Sequence, residues 1–165
     1  MRAGVLTISD KASKGERVDT SGAAIAELLA SIDASIDKTD VVPDEVPQIS
    51  DTLRSWADSD EVDIIITTGG TGLGPRDVTP EATASVIERQ APGLGELMRS
   101  EGLKHTPMAA LSRGVAGVRG NCLIVNLPGS EKGVRESLAA VIDILPHAVE
   151  ILRGRVGDHA STPKT

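Results

Sequence analysis

The chain has 165 residues, 39% of them hydrophobic, which suits one domain around one core. Phe and Tyr are absent and Trp56 is the single tryptophan, so the core must be built from Val, Ile, Leu and Ala, and the usual stacking platforms for single-stranded nucleic acid are missing. A formal net charge of −7, from 24 acidic and 17 basic residues, argues against general nucleic-acid binding, and no run is long and apolar enough to span a bilayer.

Met1-Arg2-Ala3-Gly4 leads directly into Val5-Leu6-Thr7-Ile8. That run is shorter than a signal-peptide core and reads as a buried strand. The polar segment 10–20, which contains Gly15, reads as a loop. A helix is predicted from Ser21: Ala24, Leu28 and Ile32 recur every four residues beside Ile25 and Leu29, and Asp19 or Thr20 can cap it. A second strand over about 36–42 ends at Pro43-Asp44-Glu45. The next helix starts near Pro47 and places Ile49, Leu53, Trp56 and Ala57 on one face. Residues 62–68, with Ile64-Ile65-Ile66, form the clearest strand; their unbroken apolar character indicates burial on both faces, as in a parallel sheet.

Gly69-Gly70-Thr71-Gly72-Leu73-Gly74 then interrupts regular structure. Thr79-Pro80-Glu81 supplies a cap, a fixed φ and an acid in the first turn of a helix that ends before Pro92. A short helix is predicted over about 95–101. Residues 114–118 and 122–126 read as a hairpin turning at Arg119-Gly120-Asn121. After Pro128-Gly129 a long helix carries Val134, Leu138, Val141, Ile142 and Leu145 on one face, and Pro146 breaks or kinks it. Residues 1–153 are expected to form a single domain and 154–165 a mobile tail. This order predicts an α/β fold, a three-layer α/β/α sandwich with a mostly parallel sheet and at least one antiparallel strand.

The single cysteine, Cys122, can make no internal disulfide, and a reducing cytoplasm is the simplest setting. Inside the run Cys122-Leu123-Ile124-Val125 it reads as a buried structural thiol. His105, His147 and His159 show no metal-ligand spacing and read as structural or exposed.

In open parallel sheets, ligands bind beyond the carboxyl ends of the strands. That rule selects Ser9-Asp10, Asp44, the glycine loop and, if the last strand runs parallel, Leu127-Pro128-Gly129-Ser130. The loop's four glycines in six residues let backbone N–H groups approach an anion, or simply make a tight turn. Pro75 excludes both a Walker lysine and the third glycine of a dinucleotide fingerprint. Asp44 and Asp77 each lie just beyond a strand, and adjacent parallel strands would bring them to one edge, where two hard oxygen ligands beside a phosphate cradle suit Mg2+. Taken singly, each is more often a turn former or a cap. Lys11 and Lys14 after the first strand offer point charges for phosphate, Ser112-Arg113 a guanidinium, and the helix after Ser130 its N-terminal amides; a solvated loop, a surface arginine and ordinary turn chemistry are the plainer alternatives.

Taken in order, these segments resemble a known family. Thr67-Thr68-Gly69-Gly70-Thr71-Gly72 followed by Pro75-Arg76-Asp77-Val78-Thr79-Pro80-Glu81-Ala82 resembles the signature of the molybdopterin-binding MogA/MoaB family. Ser9-Asp10-Lys11-Ala12-Ser13, Asp19-Thr20-Ser21-Gly22, Val42-Pro43-Asp44-Glu45, Pro92-Gly93-Leu94-Gly95-Glu96, Ser112-Arg113 and Asn126-Leu127-Pro128-Gly129-Ser130 resemble its other loops, so the likeness covers nearly the whole chain. The resemblance implies a mixed sheet with one antiparallel strand and a homotrimer in the bacterial cytosol. It implies that molybdopterin and Mg·ATP give adenylyl-molybdopterin and pyrophosphate, with hand-over to a molybdenum-insertion protein. It carries the two required aspartates, acting through Mg2+, to Asp44 and Asp77. Substrate contacts fall to Ser9, Ser13, Lys14, Thr68, Gly69, Gly70, Thr71, Gly72, Arg76 and Thr79, and further along to Ser112, Arg113, Asn126, Leu127, Pro128, Gly129 and Ser130. The family has a second branch whose role is less settled, and the alternative reading is a molybdopterin-binding carrier or scaffold without turnover; the intact Pro-Arg-Asp-Val-Thr-Pro segment and Asp44 favour the adenylylating branch. Glu131 departs from the proline that many relatives carry there.

Overall fold

In the computed structural model, which describes residues 1–154, the strands are β1 (Arg2–Ile8), β2 (Ser35–Val42), β3 (Ile64–Thr68), β4 (Arg89–Gln90), β5 (Ala116–Arg119) and β6 (Cys122–Leu127). The segment 155–165, most of the expected mobile tail, lies outside the described residues. The strands form one sheet of order β2-β1-β3-β6-β5-β4. β1 pairs parallel with β2 and β3, and β3 parallel with β6. Only β5 is reversed, running antiparallel to both β6 and β4. The ends of β1, β2, β3 and β6 therefore share one edge.

The helices are α1 (Asp10–Ser13), α2 (Thr20–Ala30), α3 (Val46–Asp58), α4 (Thr79–Ala84), α5 (Pro92–Leu103), α6 (Glu131–Val141) and α7 (Leu145–Leu152). Strand alternation divides the core into two halves. Ala3, Val5, Ile64, Ile66, Leu123 and Val125 face α2, α5, α6 and α7, with Ile25, Leu138 and Leu145 packed among them. Leu6, Ile8, Ile65, Cys122 and Ile124 face the opposite layer, where α3 and α4 contribute Ile49, Leu53 and Ala82. Helices thus cover both faces of the sheet, as the apolar runs of β3 and β6 require. Cys122 is buried as expected, and burial pushes its thiol up to about 12.

Several elements differ from the sequence expectation. The segment after β1 is not all loop: Ser9 Oγ accepts from the Ala12 N–H at 3.2 Å and caps α1, four residues too short to show a period. The helix begun at Thr79 stops at Ala84, and β4 follows, held to β5 by Glu88 N–H to Val118 O at 2.8 Å and Ala91 N–H to Ala116 O at 2.9 Å. That pairing is tertiary and leaves no local signal. The helix expected over 95–101 begins earlier, at Pro92, and runs to Leu103. β3 starts at Ile64 and β5 at Ala116, each two residues later than expected. The long last helix is interrupted by a 3-10 turn at Ile142–Ile144, and Pro146 stands in the first turn of α7, where its missing N–H leaves no hydrogen bond unmade.

Candidate functional site

The glycine loop crosses the end of the sheet at very close range. Gly69 has φ +102° and Gly70 φ +63°, both in the left-handed region. A Cβ on Gly69 would stand 2.1 Å from Ile8 O, and one on Gly70 2.4 Å from Thr79 Oγ1. The loop is held from three directions. Gly69 N–H donates to Leu127 O at 3.2 Å, Thr79 Oγ1 donates to Gly69 O at 2.8 Å, and Thr79 N–H donates to Gly70 O at 3.0 Å. Arg113 closes the far side: its N–H donates to Thr71 O at 2.8 Å, its Nε to Gly72 O at 2.7 Å and its Nη2 to Asp77 O at 2.6 Å. Glu81 pairs with the rest of that guanidinium.

The two aspartates flank this loop. Asp44 Oδ1 lies 3.0 Å from the position of a Cβ on Gly70, and Asp77 Oδ2 2.8 Å from one on Gly72. They do not arrive on adjacent strands, because β1 lies between β2 and β3. Asp44 instead reaches across β1, and its neighbour is Asp10: the Asp10 N–H donates to Asp44 Oδ2 at 2.8 Å and the Asp44 N–H to Asp10 Oδ1 at 3.1 Å. Burial pushes the Asp44 carboxyl above the usual carboxylate range; the Asp10 amide offsets part of this, and the charges of Asp10 and Asp77 add to it. Asp10 moves the opposite way, because the Arg76 guanidinium is hydrogen-bonded to it. Asp77 Oδ2 accepts from the Gly74 N–H at 2.8 Å.

Two cavities open on this edge. One, of about 370 Å3, lies between the glycine loop, α5, the 3-10 turn Pro107–Leu111 and α6, with Met98, Met108 and Leu111 as its large apolar groups. The other, of about 700 Å3, lies between the glycine loop, the turn around α1 and the start of α2; it is polar, with Ser9, Arg17, Asp19 and Asp44 among its walls. Gly70, Asp77, Gly129 and Ser130 belong to both, so the cavities meet there. Ser130 also caps α6, its Oγ accepting from Gly133 N–H at 3.1 Å, which aims the first amides of that helix at the junction.

Of the residues selected from sequence, Ser9, Asp44, Thr68 and Gly69 line the polar cavity, and Thr71, Gly72, Ser112, Asn126 and Pro128 the apolar one. Several spend their side chains on shaping the walls. Thr68 Oγ1 donates to Pro128 O at 2.6 Å, and Asn126 Nδ2 donates to Thr67 Oγ1 and Thr83 Oγ1, both at 3.0 Å. Ser13, Lys14, Arg76, Thr79, Arg113 and Leu127 line neither cavity. Arg76 forks onto Asp10 at 3.0 and 2.9 Å and reaches Glu45 at 2.8 Å, so both arginines expected at phosphate are already neutralised. Sequence reasoning passed over Arg17, the one Lys or Arg among the described residues lining the polar cavity, and the role of Asp10. An arginine in a polar loop carries no local sign of where it points. Asp10 stood in a quoted motif, but its partner depends on the β1–β2 pairing.

A family described as a probable molybdopterin binding domain matches residues 4–147. The chain is 45% identical over 153 residues to a molybdopterin adenylyltransferase of Helicobacter pylori, covering 92% of this chain and 87% of that one. It is 46% identical over 159 residues to the molybdenum cofactor synthesis protein cinnamon of Drosophila melanogaster, covering 96% of this chain but only 26% of that longer protein. Among solved structures, the molybdopterin biosynthesis enzyme MoaB of Thermus thermophilus is 58% identical with a TM-score of 0.88, over 93% of this chain and 96% of that one.

Proposed function

Because this chain belongs to the molybdopterin-binding domain family, we propose that it is a molybdopterin adenylyltransferase, joining molybdopterin to the AMP part of ATP and releasing pyrophosphate. The observation that carries this reading is the junction at Gly70, Asp77, Gly129 and Ser130, where an apolar and a polar cavity meet. Transfer between two substrates needs each seated on its own side of a common point, with the reacting atoms aligned there. The apolar side suits a flat heterocycle and the polar side a nucleotide.

The nucleophile is the terminal phosphate oxygen of molybdopterin. It is already ionised, so no strong general base is needed. Its oxygen forms a bond to the α-phosphorus as the bond from that phosphorus to the bridging oxygen breaks, and the electron pair leaves with pyrophosphate. The obstacle is bringing two polyanions together on a protein of net charge −7. Favourable potential must therefore be local. Amides at Gly70–Gly72 and the N-terminus of α6, held in place before the substrates arrive, supply it, and Arg17 adds a positive charge at the wall of the polar cavity.

Asp44 and Asp77 would hold Mg2+. They fit it: burial and the neighbouring acids make the ionised Asp44 costly in the protein alone, and among the described residues neither aspartate has an ion-pair partner. Two carboxylates with phosphate oxygens completing the shell is an ordinary arrangement for this ion. When bound, the ion supplies positive charge against the phosphate oxygens. The homotrimer, the cytosolic setting and hand-over to a molybdenum-insertion protein belong to the same proposal and rest on the family likeness.

Incubation with molybdopterin, Mg2+ and ATP, followed by mass analysis, tests the reading. Adenylyl-molybdopterin and pyrophosphate are expected in equal amounts. Tight molybdopterin binding without either product would replace the transferase with a carrier.

A further inference from the structure

The apolar cavity holds an acid that the transfer chemistry leaves without a task. Ser130, Gly133, Glu136 and Ser137 recur at helical spacing along α6 and form one wall. Ser130 stands at the junction, and Glu136 lies about 9 Å further along the helix, at 1.5 Å per residue. The Glu136 side chain is 19% exposed. The nearest basic side chains are Lys132, with Nζ at 3.8 Å, and His105, with Nδ1 at 3.9 Å, both beyond hydrogen-bond reach. No hydrogen bond among the described residues ends on its carboxylate. A half-buried acceptor with unused lone pairs, set in a wall beside Met98 and Met108, is an arrangement that favours a ligand bearing N–H donors.

Resting on the adenylyltransferase reading, we propose that Glu136 is a specificity-determining residue that reads the pyrimidine edge of the pterin. A 2-amino-4-oxo pterin presents two adjacent donors, N3–H and the 2-amino N–H, which one carboxylate accepts side by side. Adenine presents an amino donor next to the N1 lone pair, which a carboxylate repels. Glu136 thereby assigns the apolar cavity to the pterin and turns the adenine of ATP toward the polar one. Met98, Met108 and Leu111 supply apolar contact to the ring faces. The distance from Ser130 to Glu136 is on the order of the span from a phosphate to the far edge of a fused pterin ring system.

The test uses the whole chain, with pterin and lumazine as fluorescent probes; lumazine carries a 2-oxo group in place of the 2-amino donor. The wild type is expected to bind pterin about tenfold or more tightly than lumazine, the size of one hydrogen bond to a charged group. Glu136→Gln turns one acceptor into a donor and should erase that preference, and a far-ultraviolet circular dichroism spectrum and melting temperature matching the wild type show that the variant folds. Lys132→Ala and His105→Ala should keep the preference, whereas a merely structural role for Glu136 would be disturbed by them. A wild type that binds pterin no better than lumazine, or a Glu136→Gln variant that retains the preference, overturns the proposal. Product analysis is separate: wild-type preference without adenylyl-molybdopterin sinks the transferase reading alone, and product without preference sinks this one alone.

Discussion

Asp10 and Asp44 hold each other by exchange of main-chain amides: each carboxylate accepts from the other residue's N–H, at 3.1 and 2.8 Å. The exchange locks the turn after β1 to the turn after β2 and fixes the Asp44 carboxylate beside Gly70. Arg76 pairs with Asp10 and not with Asp44, so one acid of the pair has an ion-pair partner and the other, among the described residues, has none.

Asp10→Ala removes the acceptor for the Asp44 N–H and releases Arg76. Adenylyl transfer should fall by about 10–100-fold, the usual cost of losing a group that orients a metal-holding ligand. Titrating Mg2+ against pyrophosphate release checks it: the requirement should rise, and an unchanged requirement would show that Asp10 does not position Asp44. Asp10→Asn, which keeps one acceptor oxygen, should lose less.

The raised Asp44 pKa makes a stability prediction with a definite sign. The folded protein binds the Asp44 proton more readily than the unfolded chain does, so this contribution is present below the ordinary carboxylate value and is lost as pH rises through the raised folded value. Asp44→Asn removes the strain of the ionised form. Without metal, the variant should melt above the wild type at neutral pH, and the gap should close in acid. Mg2+ should raise the wild-type melting temperature more than that of the variant. Parallel melting curves across pH measure all three.

Two left-handed glycines separate backbone strain from close approach. Gly15 has φ +73° and open space around its Cβ position, while Gly69 would press a Cβ to 2.1 Å from the Ile8 carbonyl. Gly15→Ala should cost about 1 kcal/mol from the backbone conformation alone. Gly69→Ala should cost at least about 3 kcal/mol, since β1 and the loop must also part, and it should abolish transfer. Urea unfolding of both variants gives the comparison.

Arg113 and Arg17 should fail differently. Arg113→Lys cannot reproduce a fork onto Gly72 O, Asp77 O and Glu81. Asp77 then shifts, and kcat should drop by on the order of 100-fold with little change in the KM for ATP. Arg17→Ala leaves the loop intact and removes a charge from the polar cavity. There the KM for ATP should rise by roughly 10–100-fold with kcat nearly kept. Steady-state kinetics on both variants separate the two patterns.

Much of the fold was legible along the chain. The Ile64-Ile65-Ile66 run, the four-residue recurrence of Ala24 and Leu28, and the Pro at the start of α4 each encode their element within a few residues. The edge carrying the loops was also legible, because strands that run parallel present their carboxyl ends together. β4 was not, since two residues acquire strand geometry only by pairing with β5. The break between α6 and α7 was misplaced because Val141, Ile142 and Leu145 keep the apolar spacing of one continuous helix.

Sequence by itself determined the class of fold, the positions of the glycine turn and the two aspartates, and the family to which their order belongs. Periodicity, capping and turn chemistry act over a few residues and can be read locally. Tertiary structure alone decided that β1 stands between β2 and β3, that Asp44 pairs with a residue 34 positions away, that Arg76 and Arg113 are neutralised while Arg17 lines a cavity, and that two cavities meet at Ser130. Contacts between distant segments are chosen by competition among pairings with equivalent local patterns, and only the packed chain resolves that competition.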